Sequence, residues 1–303
     1  MASFSFIRIM SNRLYRFHWI YISTLCRSTV HWYPRRSWLV VIGGIQVQSA
    51  NAVRFGINPR GLSYTRVIEV VKAAEAAGFA TVGLSDRPPE ENLEAWTLAT
   101  AVVVQTKKIV VTHSTLNVPF RNPALLAKMS AAMDHIAKGR LILTLGAGIQ
   151  EDHFTTYGIE FGSPGHRVQG LVEAIEIIRG TLSNDIFSYE GLIHSVTSAV
   201  VTPRPSNKIP IVIGAGKPRM LRLAGSMGDG WIRNGGFPES VEQYTGLLAT
   251  AEEGALEAGK DPAILRRVVN ATAYIGDEDP SLHVPKTFGS PHGLLGTRDQ
   301  ILE

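Results

Sequence analysis

A turn of small residues follows an apolar run near the middle of the chain. Residues 141–145 contain one threonine and no charge, which is typical of a strand that is buried on both faces. Gly146, Ala147 and Gly148 come next. Because no side chain here is larger than a methyl group, backbone N–H groups can approach a ligand closely. The segment predicts a binding turn at the carboxyl end of a strand.

A second turn of this kind carries positive charge. Residues 211–213 are apolar, a glycine-rich turn follows them, and a helix is expected to begin at Pro218. Free N–H groups at a helix start attract anions, so the functional interpretation is a phosphate site. The alternative is an ordinary turn whose glycines serve only its geometry. The residues of this candidate phosphate site are Gly214, Ala215, Gly216, Lys217 and Arg219.

Two polar clusters follow the second and third predicted strands. Ser85, Asp86 and Arg87 come after the second, where a carboxylate would face the end of a barrel. The alternative role for Asp86 is a helix N-cap or a salt bridge with Arg87. His113 ends the third strand and could donate a proton or contact a heterocycle. A purely structural hydrogen bond is the alternative for this histidine.

A third cluster combines acids with an imidazole. Glu151, Asp152 and His153 resemble metal ligands, but no second cluster pairs with them, which favours a solvated loop over a metal site. The chain also lacks the GxSxG, HExxH and Walker motifs. Common hydrolase and NTPase chemistry is therefore disfavoured.

The elements that must position these residues alternate between strand and helix. The strands are expected at 53–57, 81–84, 109–113, 141–145, 209–213, 230–232 and 267–275. The helices are expected at 65–77, 93–106, 123–137 and 168–179, at 240–258, and from Pro218 onward. Two short extended pieces, 187–189 and 194–196, predict a β-hairpin inserted after the fourth helix.

This alternation predicts an α/β protein with a parallel sheet and outer helices. Seven units of about 30 residues fit a TIM-type (β/α)8 barrel, which typically takes about 250 residues. An open doubly wound sheet is the alternative, but no dinucleotide-binding fingerprint follows the first strand. The chain is expected to stop before the eighth strand, since residues 296–303 read as the opening of a seventh helix.

The first 52 residues differ from the remainder in charge. They contain six arginines and no acid or lysine, so the net charge of +4 divides into +6 for this leader and −2 for residues 53–303. The leader resembles a transit peptide, or reflects a start site assigned too far upstream. We expect it to lie outside the fold, which leaves 53–303 as one incomplete barrel domain.

The composition bears on partners and compartment. The basic leader, and not the domain, raises the sequence pI to about 9.2, so no nucleic-acid partner is expected. The apolar runs of the leader are too short to span a bilayer, and no membrane partner is expected. A single cysteine, Cys26, excludes an internal disulfide and fits a reducing cytoplasmic setting.

Taken in order, these motifs resemble the luciferase-like monooxygenase superfamily, and within it the coenzyme F420-dependent oxidoreductases. The resemblance covers residues from about 53 to 231 and weakens beyond. The segments that carry it are 122–129, 139–148, 157–161, Arg167, 187–191, 203–205, 211–219, 221–224 and 229–231.

The resemblance implies a barrel that holds a flavin or deazaflavin at its mouth. The cofactor phosphate would lie against Gly214-Ala215-Gly216, and the ring would lie near His113 and Ser114. Gly146-Ala147-Gly148 would line the cofactor, and Asp86 and His113 would orient the ring. Members of this branch often have Ser-Asp-His after the second strand. Arg87 takes the third position here, and a permanently charged arginine is a poor general acid. Ile149 and Gln150 also stand where many relatives have a tryptophan.

Three functions follow from these observations. The first is an oxidoreductase that transfers a hydride between reduced F420 and an unidentified organic small molecule, with Asp86, Arg87 and His113 as candidate catalytic residues. The second is an FMN-dependent monooxygenase that uses oxygen and a partner flavin reductase. The third is a non-catalytic, truncated paralogue. A homodimer is the expected assembly.

Overall fold

The main sheet of the protein is parallel throughout. The computed structural model describes residues 19–25, 54–88, 93–233, 240–275 and 294–296. The strands are β1 Trp19–Leu25, β2 Arg54–Arg60, β3 Thr81–Leu84, β4 Val110–His113, β5 Leu116–Asn117, β6 Leu143–Gly146, β7 Phe187–Glu190, β8 Ser195–Ala199, β9 Ile211–Ala215, β10 Gly230–Arg233, β11 Arg266–Ile275 and β12 Leu294–Gly296. Their order in the main sheet is β4-β3-β2-β1-β11-β10-β9-β6-β5, and β12 pairs with β11.

Helices separate most of these strands along the chain. They are α1 Tyr64–Ala76, α2 Ala95–Gln105, α3 Pro123–Ala137, α4 Asp152–Thr155, α5 Pro164–Ser183, α6 Pro218–Met227 and α7 Val241–Glu257. The inner strands β3, β6 and β9 are buried at every position, and the apolar faces of α1, α2, α3 and α5 pack over the sheet. The predicted parallel α/β arrangement is confirmed within these residues.

Helix α3 shows why local sequence signals place an element correctly. The Asn122 side chain accepts hydrogen bonds from the N–H groups of Ala124 and Leu125, and Pro123 occupies the first turn, where its missing N–H costs nothing. At the other end Gly139 has a φ of +79°, a conformation that favours glycine. The expected helix 123–137 therefore matches the observed one at both ends.

The inserted hairpin is held by one buried carboxylate. Strands β7 and β8 pair in an antiparallel manner, as predicted. Glu173 of α5 accepts hydrogen bonds from the N–H groups of Leu192, Ile193 and His194 in the connecting turn, at 2.8–2.9 Å. Burial opposes the charge of Glu173, but these bonds and one from Gln169 lower its pKa. The hairpin is thereby fixed to α5.

The leader contributes a strand, which corrects its exclusion from the fold. Strand β1 lies between β2 and β11, with Trp19 beside both Arg54 and Val268. The sequence Trp-Ile-Tyr-Ile-Ser-Thr-Leu at 19–25 is uncharged and rich in aromatic and β-branched residues, as strands prefer. The arginines elsewhere in the leader hid this pattern. The remaining leader residues, Cys26 among them, lie outside the described part of the chain.

The other boundaries moved by only a few residues. Strand β2 continues through Asn58 to Arg60, beyond the predicted end at residue 57. The third predicted strand, 109–113, is β4, and the short strand β5, which follows Ser114 and Thr115, had no sequence prediction. Helix α4 and strand β12 had no sequence prediction. Of the helix expected to open at residue 296, only Gly296 is described, as the last residue of β12. Across the described helices, none has the length and hydropathy needed to cross a membrane.

Replacing the central residue of β1, Ile22, with proline tests whether β1 lies in the sheet. Ile22 lies beside Ile57 of β2 and Ala271 of β11. Ile22→Pro removes a backbone donor inside a central strand. We expect a loss of about 2 kcal/mol and a Tm lower by about 4 °C, measured by circular dichroism. Ile22→Val keeps the donor and should melt like the unchanged protein. Equal melting of all three proteins would contradict the pairing of β1.

Candidate functional site

The candidate residues gather at one edge of the sheet because parallel strands end together. Leu84 pairs with His113 at the ends of β3 and β4, and Asn117 pairs with Gly146 at the ends of β5 and β6. Leu145 of β6 lies beside Ile213 of β9. The two glycine turns therefore leave adjacent strands at neighbouring positions. We call this edge the rim; it includes residues 85–88, 114–121, 146–150, 214–219 and the ends of β2 and β10.

Asp86 is a buried anchor at the rim. Its side chain is 2% exposed, and it accepts a two-pronged pair of hydrogen bonds from Arg121 at 2.9 and 3.0 Å. The N–H group of Asn117 adds a third bond at 2.9 Å, and the Asn117 amide donates to the Asp86 carbonyl. The salt bridge considered from the sequence exists, but Arg121 and not Arg87 supplies the cation. These bonds occupy both carboxylate oxygens.

Arg121 also joins the start of helix α2. Its Nη2 atom donates to Glu94 at 2.6 Å, and Glu94 caps α2 by accepting from the N–H groups of Trp96 and Thr97. Burial alone would raise the pKa of Glu94, but hydrogen bonds from Thr97, Trp96 and Arg121 lower it to about 2. The two carboxylates outweigh burial at Arg121 and raise its pKa. Glu94 and Arg121 therefore stay charged near neutral pH.

His113 lies behind the rim and not on it. Its side chain has no exposed surface, and its ring stacks on Trp96 of α2 with centroids 5.3 Å apart. The preceding residue, Thr112, points the other way and shares a hydrogen bond with Thr144 of β6. Burial and the charge of Arg121 lower the pKa of His113 to about 3. The imidazole is neutral and inaccessible, which corrects its interpretation as a proton donor or heterocycle contact.

A polar chain lies at the ends of β2 and β3. Arg60 donates from Nε to the Ser85 hydroxyl at 2.7 Å, and Ser85 donates to Asn58 at 3.4 Å. All three residues are buried. The sequence prediction included Ser85 but neither of its partners, because the first strand was expected to stop before them.

The first glycine turn is small because its own neighbours need the space. A Cβ atom at Gly146 would lie 2.6 Å from Oγ1 of Thr115, and one at Gly148 would lie 2.2 Å from Cζ of Phe154. Gly148 also has a φ of +83°. Close packing by the protein accounts for both glycines. The half-buried Ala147, together with the 72% exposed Ile149, forms the accessible part of this turn.

Arg167 fixes the loop that follows this turn. It donates to the carbonyl oxygens of Gly148 and Gly162 at 3.3 and 2.6 Å, and its guanidinium lies 3.7 Å from the centre of the Phe161 ring. Phe161 in turn packs against Phe154. On the other side of the loop, Tyr157 donates to the carbonyl of Pro88 at 3.1 Å. The loop after β6 is thus tied to the loop after β3, beside the half-buried Arg87.

The second glycine turn leads directly into helix α6. Gly214 and Ala215 are buried in β9, Gly216 is half-buried, and Lys217 and Arg219 are exposed. The Trp231 indole donates to the carbonyl of Ala215 at 3.0 Å and holds the turn from β10. Helix α6 begins with Pro218, has no acidic residue in its first turn and no side-chain cap. The arrangement retains the two properties of an anion site, helix N–H groups and adjacent cations.

Nothing described here forms a metal centre. In the described part of the chain no three His, Cys, Asp or Glu side chains converge, and His153 of the acid–imidazole cluster is buried in α4.

Ser114 lies at the rim and is half-buried. Its N–H donates to the carbonyl oxygen of Leu84, and a cis peptide bond joins it to Thr115.

Sequence reasoning missed several residues of the rim. The missed side chains are Asn58, Arg60, Glu94 and Arg121. Arg121 directly precedes the start of helix α3 at Pro123, and no role was predicted for it. A basic residue next to a helix start and an unexplained acid after the preceding strand were the available signals. No spacing rule pairs positions 86 and 121.

Stability should depend on pH through His113. An imidazole with a pKa near 3 in the folded protein and about 6.5 when unfolded makes unfolding easier as pH falls through that window. The slope approaches about 1.4 kcal/mol per pH unit. His113→Phe preserves the stack on Trp96. It should make the urea midpoint of unfolding depend less on pH between 6.5 and 4.5. Equal slopes would contradict the buried neutral state. Glu94 acts lower, as its stabilisation is lost when pH falls from about 4.5 towards 2.

Replacing Gly148 and Gly158 with alanine separates the cost of steric overlap from the cost of backbone strain. Gly158 has a φ of +68° with nothing near its Cβ position, whereas Gly148 has a similar φ and Phe154 in the way. We expect Gly158→Ala to cost about 1–2 kcal/mol and Gly148→Ala about 1–3 kcal/mol more, measured by urea unfolding. Adding Phe154→Leu to the Gly148→Ala variant should recover part of the extra loss of stability. Equal losses at the two glycines would show that Phe154 does not fill the space.

Several known proteins are similar to this chain in sequence or in fold. The family model of luciferase-like monooxygenases matches residues 44–283. An F420-dependent glucose-6-phosphate dehydrogenase from Amycolatopsis mediterranei is 31% identical over 81% of this chain and 73% of its own length. An F420-dependent secondary alcohol dehydrogenase, solved with an F420–acetone adduct, has a TM-score of 0.65 at 25% identity and covers 75% of this chain and 70% of that one.

A third protein is similar in fold alone. The oxygenating constituent of a Pseudomonas putida diketocamphane monooxygenase, solved with FMN, has a TM-score of 0.62 at 21% identity and covers 71% of this chain and 63% of that one. The TIM-barrel class expected from the alternating elements is confirmed by these neighbours, as is the resemblance drawn from the motifs. This chain belongs to the luciferase-like monooxygenase family.

Proposed function

We propose that this luciferase-like oxidoreductase transfers a hydride between coenzyme F420 and an organic small molecule. The observation that carries the proposal is the junction of β9 with α6, where a glycine turn, an uncapped helix start and two exposed cations lie together at the rim. The 31% identity to an F420-dependent dehydrogenase supports F420 as the cofactor.

The phosphate end of the cofactor is assigned to this junction. The first N–H groups of α6 lack acceptors within the helix, since Leu221 is the first described N–H to bond back, to Lys217. Lys217 and Arg219 would add charge-assisted bonds to an anion. The Trp231 bond to Ala215 keeps the turn in place, so little ordering is needed on binding.

The ring end is assigned to the neighbouring turn. Ser114, Ala147 and Ile149 provide accessible backbone and apolar surface beside the junction, because β6 and β9 are adjacent. F420, when bound, supplies the hydride-transfer chemistry, and the protein supplies binding, orientation and exclusion of water. Asp86 holds the rim together, and no proton transfer is assigned to it or to His113. Arg87 lies near the ring end, where its permanent charge suits an anionic group of the ligand.

An FMN-dependent monooxygenase is the second candidate. The same junction would hold the FMN phosphate, and an FMN-containing monooxygenase shares the fold. A separate flavin reductase would then be required to supply reduced FMN.

A homodimer belongs to both proposals. Helix α2 carries no charged residue and exposes 65% of Val104, so its outer face suits a second copy. Sedimentation of the purified chain measures this assembly. The location of the protein in the cytoplasm stays a prediction.

Cofactor titration separates the candidate functions. The full chain is purified and titrated with F420 and with FMN, and binding is followed by fluorescence quenching and visible absorption. We expect submicromolar F420 binding and much weaker FMN binding. The reverse preference would favour the monooxygenase, and a folded protein that binds neither would favour the non-catalytic paralogue.

Charge removal at the start of α6 tests the phosphate assignment. Lys217→Ala and Arg219→Ala should each weaken F420 binding by about tenfold, since a charge-assisted bond contributes about 1.5–3 kcal/mol. Arg222→Ala is the matched control; Arg222 lies one turn further along α6 and pairs with Glu253. Its Kd should be unchanged. Equal affinities across all three variants would contradict the placement of the phosphate.

A further inference from the structure

We propose that Arg121 is a positioning residue that sets the Ser114–Thr115 segment of the rim against the cofactor ring. The inference rests on the proposed function for its ligand, and on the described contacts for its geometry. Arg121 acts through two carboxylates, Asp86 just after β3 and Glu94 at the start of α2.

The first link runs through Asp86 to the strand that carries the segment. Both guanidinium Nη atoms bond to Asp86, and Asp86 accepts the N–H of Asn117 in β5. A fork of this kind holds two planar groups in one mutual orientation. β5 begins immediately after Thr115, so its position relative to β3 depends on this carboxylate.

The second link runs through Glu94 to the other side of the segment. Glu94 caps α2 and thereby orients Trp96, whose ring stacks on His113 at an interplanar angle of 6°. His113 immediately precedes Ser114. Arg121 therefore constrains the segment from both of its ends, through Asn117 and through His113.

The segment has one more neighbour, which transmits its position to the ring end. Thr115 lies against Gly146, where no Cβ atom would fit. A shift of Ser114 and Thr115 would thus move the first glycine turn. The Arg121 side chain is 13% exposed and that of Asp86 is 2% exposed, so water does not readily replace either partner.

Lysine and methionine variants test the inference. Arg121→Lys keeps the charge but loses the fork, and Arg121→Met loses both. In the protein without cofactor, hydrogen–deuterium exchange at residues 113–118 should speed up at least tenfold in both variants. With F420 added, the visible band of the bound coenzyme should shift towards that of the free coenzyme. Lys217→Ala should lower affinity and leave the band of the bound fraction unchanged.

Controls keep the outcomes distinct. Arg222→Met removes an exposed arginine and should change neither exchange nor band. If Arg121→Met does not fold, the double variant Arg121→Met with Asp86→Leu removes both charges and is measured in its place. If Arg121→Lys has the same hydrogen–deuterium exchange rates and the same visible band of the bound coenzyme as the unchanged protein, the inference is overturned. An unchanged protein that binds neither F420 nor FMN overturns the proposed function alone, because the exchange comparison still decides whether Arg121 holds the segment.

Discussion

The ion pair between Asp86 and Arg121 is the interaction on which the rim depends. A carboxylate buried this deeply is tolerated only when its oxygens are bonded and its charge is balanced. Arg121 meets both needs, and through Glu94 it also engages the start of α2. Two successive strand–helix units, β3 with α2 and β4–β5 with α3, are thereby joined at one point. Asp86, which looked suited to catalysis, helps to hold the edge on which a ligand would lie.

The two glycine turns have different physical origins although their sequences are alike. Gly146 and Gly148 leave room for Thr115 and Phe154, so the protein fills the space next to them. The junction of β9 and α6 instead retains exposed cations and a helix start without a cap. A Gly-Ala-Gly motif therefore does not by itself show whether its glycines make room for neighbouring side chains or lead into an open helix start. The difference comes from what lies opposite each glycine, which depends on contacts distant in sequence.

Local elements were predictable where their signals are local. Helix α3 has a capping asparagine, a proline and a terminal glycine within its own sequence, and its limits were predicted correctly. Strand β3 and the hairpin follow from alternation and turn residues in the same way. Strand β1 was missed because composition was judged over 52 residues, whereas its pattern extends over seven. The structure brings the candidate residues to one edge of the sheet, and several of their side chains have surroundings that the sequence did not predict.

The sequence by itself determined the class of fold and the family. These follow from periodicity and from the order of short motifs, which neighbouring residues encode. Only the tertiary structure decided that His113 faces α2, that Arg121 pairs with Asp86, and that β1 enters the sheet. Side-chain direction at a strand end depends on the local twist and on the partner strand. The pairing of distant charges depends on burial, which no spacing along the chain specifies.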